Sequence, residues 1–193
     1  MKEKNKKIAL VAAIVFGLLM VLSPFAAMFY GFNDQTSKRS FGKYRFTRQS
    51  YGYEANINGK TENFIYFPGD IESINVSSEA LSLIKGKQYM IMTSDPADPL
   101  NQSIAYMEYN SDKVLKDLNK TKMGFAYVNE TATRTKITCE NASAGMPVIY
   151  VRKANESAIR AEGNCLFIEA RQQDEILADF ERVFYIMIGV MEK

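Results

Sequence analysis

An uncharged apolar run of 23 residues, Ile8 to Tyr30, most constrains what this chain can fold into. About 20 apolar residues suffice to cross a bilayer as a helix. Residues 8–30 are therefore read as a transmembrane signal anchor, with the lipid bilayer as its partner. Six Asn-x-Ser/Thr triplets follow, beginning at Asn75, Asn101, Asn119, Asn129, Asn141 and Asn155. With 13 Asn and 22 Ser plus Thr among 193 residues, random placement gives about 1.5 triplets. Each is an N-glycosylation acceptor pattern, which has meaning only in a secretory or external compartment. Together the run and the triplets describe a small ectodomain held at a cell membrane or endomembrane.

A cleaved signal peptide is the alternative, since Pro24 closes an apolar stretch that follows a basic start. The cleavage context argues against it. Cutting after Ala26 places Pro24 at −3, and cutting after Ala27 places Phe25 there, where small residues are wanted. Orientation rests on two opposing charge clusters. Lys2, Lys4, Lys6 and Lys7 favour a cytoplasmic N-terminus, whereas Lys38, Arg39, Lys43, Arg45 and Arg48 follow the other end. The triplets and the cysteine pair break the tie toward a C-terminal domain outside the cytoplasm.

Residues 1–7 carry a net charge of +3 and the remainder −1, so the overall +2 belongs to the leader. The remainder offers nothing like the basic face that phosphate neutralisation needs, and nucleic acid is not expected as a partner.

The chain divides into a basic leader (1–7), the anchor (8–30), a polar tether (31–42) and an α/β domain (43–193), with α+β as the alternative class. Alternating Tyr51, Tyr53, Ala55 and Ile57, then Asn58-Gly59, then Phe64 and Tyr66, predict an antiparallel hairpin. A short helix over Ser78 to Lys85, a strand over Gln88 to Thr93, a helix over Pro99 to Asn119 and a strand over Met123 to Val128 follow. That order suggests a parallel β-α-β crossover in one mixed sheet. Segments 136–139, 147–151, 158–161 and 165–169 come next, then a C-terminal helix from Gln172. The stretch Val183 to Met191 is apolar on every side. It is read either as a buried terminal helix or as a partner contact through Phe184, Met187 and Met191.

The only two cysteines, Cys139 and Cys165, predict a disulfide in an external compartment. Histidine is absent, which removes Ser-His-Asp and Cys-His catalysis and imidazole-based zinc sites. The densest polar cluster, Thr93 to Pro99, holds Asp95 and Asp98 where a strand should end and a helix begin. Two carboxylates three apart can hold a hard cation such as calcium. They serve equally as a turn residue and a helix N-cap, with Pro99 as the first helical residue. Glu140 and Asn141, beside Cys139, form a second polar candidate, and the aromatics around the hairpin are read mainly as core. No phosphate loop, dinucleotide fingerprint or hydrolase motif is present.

The expectation is a non-enzymatic, single-pass surface protein. Its disulfide-tied, glycosylated ectodomain serves binding or assembly at the envelope, with another envelope or membrane protein as partner and no cofactor. The alternative is a membrane-tethered enzyme or cation-dependent sensor working through Asp95 and Asp98, with calcium as its ion.

Overall fold

Asn58 and Gly59 adopt φ of +51° and +87°, the pair of positive angles a tight hairpin turn requires. They join β3 (Gly52–Ile57) to β4 (Lys60–Phe64), which pair antiparallel with Tyr53 opposite Phe64 and Ile57 opposite Lys60. The computed structural model describes residues 38–192, so the leader, the anchor over 8–30 and tether residues 31–37 lie outside the described residues. Among the described residues no helix is long and apolar enough to cross a membrane.

The hairpin is half of a larger unit. β1 (Lys38–Phe41) and β2 (Tyr44–Gln49) precede it, giving a four-stranded antiparallel meander ordered β1-β2-β3-β4. Residues 38–41, expected in the tether, are thus an edge strand, and the folded unit begins at Lys38 rather than 43. Alternation explains why: Arg39 and Phe41 turn inward while Lys38 and Ser40 face solvent. Tyr44, Phe46, Ala55, Ile57 and Phe64 form the buried side of the meander. The other side is polar, with Arg45, Thr47, Glu54, Asn56, Thr61 and Asn63. Tyr51, expected in the hairpin strand, is instead 98% exposed in the turn before it.

After α1 (Pro68–Ile71) and α2 (Ser78–Ile84), whose N-cap Ser77 accepts from the Ala80 N–H, the chain enters a second sheet. β5 (Tyr89–Ser94), α3 (Asn101–Asp117) and β6 (Lys122–Tyr127) form the predicted parallel crossover, with Tyr89 opposite Lys122 and Ser94 opposite Tyr127. The chain then passes to the other side of β5 and adds β7 (Val148–Lys153), β8 (Ala158–Glu162) and β9 (Cys165–Ala170). The order is β6-β5-β7-β9-β8, all parallel except the edge strand β8. The hairpin and the crossover therefore occupy two sheets, not one mixed sheet. Residues 136–139 supply a single bridge, Tyr127 to Lys136, rather than a strand, and lead into a 3-10 turn at Cys139–Asn141.

The two faces of the five-stranded sheet are covered differently. Ile104, Met107, Val114 and Leu115 of α3 pack with Met90 and Met92 of β5 in the main core. The opposite face, built on Ile91, Ala126, Val148, Cys165 and Phe167, is covered by Ile137, Cys139, Ala142 and Met146 of the β6–β7 link. Cover on both sides explains why β5, β7 and β9 read as nearly unbroken apolar runs.

α4 (Gln173–Ile188) closes the fold, and every residue from Asp179 to Ile188 is buried. It packs on β9 and α3 and also meets the meander: Tyr185 lies 4.9 Å from the Phe64 ring and 6.1 Å from Phe46. A helix with neighbours on all sides has no polar stripe to keep. Gly189, with φ of +78°, ends it, and the Val190 N–H closes back on the Tyr185 carbonyl at 2.9 Å.

Candidate functional site

In an open α/β sheet, ligands bind beyond the carboxyl ends of the strands where successive connections leave in opposite directions. Here that point lies between β5 and β7, because α3 covers one face and the β6–β7 link the other. A crevice of about 410 Å³ opens there, lined by Asp95, Asp98, Tyr150, Arg152, Lys153 and Asn155. The structure thus places Asp95 and Asp98 together in a concavity.

Their carboxylates are already engaged with the backbone. Asp95 Oδ1 accepts the Ala97 N–H at 2.9 Å. Asp98 Oδ1 accepts the Leu100 N–H at 2.7 Å, and its Oδ2 accepts the Lys153 N–H at 2.8 Å. Asp98 therefore fastens the loop after β5 to the end of β7. It is not the cap of α3, which begins at Asn101 with Leu100 at the N-cap and no side-chain cap bond. Pro99 sits in the preceding turn, where the Asn101 N–H donates to the Asp98 carbonyl at 2.9 Å. Among the described residues no group of three or more His, Cys, Asp or Glu stands ready to hold a metal ion.

Of the two cations lining the crevice, Lys153 is exposed and Arg152 is committed. Arg152 pairs with Glu169, which Arg160 also reaches at 2.7 Å. Burial lifts the Glu169 carboxyl, but the Arg160 and Arg152 guanidiniums outweigh it and leave Glu169 below its ordinary value. Arg160 stacks 4.2 Å over the Phe167 ring, and Arg152 lies 5.2 Å from Tyr150. The result is an Arg-Glu-Arg cluster over aromatic rings, with Arg160 also paired to Glu162.

Tyr150 separates this crevice from a groove of about 380 Å³ lined by Lys136, Thr138, Glu140 and Phe167. Cys139 and Cys165 form the predicted disulfide, with Cα atoms 5.3 Å apart, and it pins the β6–β7 link to β9. Asn141 Oδ1 accepts the Thr138 N–H at 2.8 Å, closing a capping box around Glu140. Thr93 on β5 donates its hydroxyl to the Ile137 carbonyl at 2.7 Å, a second tie to this link. Its neighbour Ser94 points to the opposite face, fully buried, with an unpartnered hydroxyl.

The acceptor asparagines Asn75, Asn119, Asn129, Asn141 and Asn155 are exposed, and Asn101 is half-buried at the start of α3. None falls within residues 38–74, so the meander carries none of them. The proposed contact residues Phe184, Met187 and Met191 do not form a surface patch: they are 2%, 7% and 4% exposed. The sandwiched position of α4 explains the apolar sequence without a partner.

Sequence reasoning did not find Glu181. Its two carboxylate oxygens accept the N–H groups of Ile65 and Tyr66 at 2.8 and 2.7 Å, while the Tyr185 hydroxyl donates to the Tyr66 carbonyl at 2.7 Å. Burial pushes the Glu181 carboxyl up to about 8, against the pull of those two N–H donors. The only signal in the sequence is a charge inside an apolar helix.

No protein-family model, no curated protein and no solved structure matches the chain.

Proposed function

We propose that this chain is a single-pass, membrane-anchored surface protein whose disulfide-tied, N-glycosylated domain serves binding or assembly at the cell envelope, without a catalytic role. The observation that carries the reading is the cluster of six acceptor triplets downstream of a 23-residue apolar run. The surface positions of five acceptors and the Cys139–Cys165 bridge agree with it. The crevice at Asp95 and Asp98 is a surface feature in this reading, since its carboxylates hold backbone N–H groups and Arg152 holds Glu169.

An intact mass of the protein extracted from its native membrane without reductant tests the proposal. The expected mass exceeds the sequence value by glycan increments and falls by about 2 Da for the disulfide. A bare mass with two free thiols would place the domain on the cytoplasmic side and end the surface reading.

A further inference from the structure

We propose that the lysine-rimmed end of the five-stranded sheet is a docking surface for the anionic headgroups of a bilayer. Lys85 and Lys87 lie in the link from α2 to β5, and Lys120 and Lys122 lead from α3 into β6. Parallel neighbours start side by side, so the two links meet. The Thr121 hydroxyl donates to the Lys87 carbonyl at 2.6 Å, and the Lys122 N–H donates to the Gln88 carbonyl at 2.8 Å. The four lysines border a cleft of about 620 Å³, and among the described residues Glu192 is the only acidic side chain lining it.

These lysines differ from the others nearby. On α3, Lys113 is paired with Glu62 and Asp117, and Lys116 with Asp112. Among the described residues none of the four around the cleft forms an ion pair. The Lys87 ammonium donates to the Ala144 carbonyl at 3.2 Å, which leaves Lys85, Lys120 and Lys122 facing one carboxylate, an excess of positive charge that suits an external anion. The floor, formed by Ile186, Met187 and Met191, is closed, each residue being no more than 7% exposed. It offers no slot for an acyl chain. An open rim of spread cations over a sealed floor matches a planar array of phosphates rather than an inserted tail. Each lysine at such a surface strengthens association roughly fivefold, within about a Debye length of 10 Å.

The inference rests on the anchored reading, which keeps the domain beside a bilayer. It also bears on glycosylation, because Asn119 lines the same cleft. A glycan there and a docked bilayer exclude each other, so Asn119 should be bare in the native protein while other triplets are occupied.

The test uses the full chain in nanodiscs of neutral lipid or of the same lipid with about a third acidic phospholipid, with amine acylation read at each lysine by mass spectrometry. Exposed Lys43, Lys60 and Lys153 serve as references. Lys85, Lys87, Lys120 and Lys122 should label at least about fivefold more slowly in acidic discs. Raised salt should erase the protection, and so should the double variant Lys120→Gln/Lys122→Gln at the two remaining lysines. Equal labelling of an inserted chain in both discs overturns docking. If the chain does not insert, the anchored reading falls. Sedimentation with acidic vesicles, with the same four lysines protected, then keeps docking, and absence of both removes it too.

Discussion

A carboxylate that holds two backbone N–H groups inside a core makes stability depend on pH in a defined direction. Glu181 has an ordinary value near 4.5 unfolded and about 8 folded, so between these limits the folded state keeps a proton the unfolded state has lost. Stability should therefore fall as pH rises from about 4.5 to 8 and level off above, with linkage of about 5 kcal/mol at most. Glu169 acts oppositely. Its lowered carboxyl stabilises above its ordinary value, and that contribution is lost as pH falls through the folded value. The urea midpoint should accordingly be higher at pH 5.5 than at pH 8.5, and Glu181→Gln should flatten that difference. At pH 5.5 the variant should lose about 1 to 3 kcal/mol, because the amide NH2 cannot accept one of the two N–H groups. Gly52 is a second decisive residue. Its φ is +116°, and a Cβ there would lie 2.1 Å from the Phe64 carbonyl oxygen. Gly52→Ala should cost about 2 to 4 kcal/mol by forcing β3 from β4, read as a lowered denaturation midpoint. The Asn58-Gly59 turn was legible in the sequence because its angles are local. The demand on Gly52 was not, because it comes from the paired strand.

Among the elements, the β6–β7 link is the one that depends on a covalent tie. It covers a sheet face with four partly buried apolar side chains, where a helix usually sits. Cys139 and Cys165 are 26 residues apart, and closing that loop contributes about 3 to 4 kcal/mol in the chain-entropy model. Replacing both by alanine should lower stability by about that amount, measured by urea unfolding. It should also raise amide exchange first in the link beyond Ile137, which stays tied to Thr93 and Tyr127. The spacing and even count of cysteines predicted the bridge. That the bridged segment is irregular could not be read, since its hydrogen bonds go to Thr93 and to its own capping box. The apolar end of α4 shows the same division. Its composition fits a buried helix or a docking helix equally, and only the meander packed against Tyr185 distinguishes them.

At the scale of the molecule, α4 joins the two sheets through Glu181, Tyr185 and the aromatic cluster of Phe46 and Phe64. Meander and parallel sheet should therefore unfold together. Native-state hydrogen exchange should give the central amides of β2 and β3 the same maximal protection as those of β9. Markedly weaker protection of the meander would mean that it opens alone. The sequence by itself determined what local physics controls: the hairpin turn, the strand–helix–strand crossover, the terminal helix, the cysteine pair and the acceptor triplets. Each rests on periodicity, turn chemistry or counting within a short window. Tertiary structure alone decided that Lys38–Phe41 is a strand and that there are two sheets. It also spent Asp95 and Asp98 on backbone N–H groups and buried Phe184, Met187 and Met191. And it brought Lys85 and Lys87 beside Lys120 and Lys122. Apart from the short β1–β2 hairpin and the local Asp95 turn, those outcomes depend on groups far apart in the chain meeting in space, as Asp98 meets Lys153, because burial and charge pairing act across contacts that the chain order does not display.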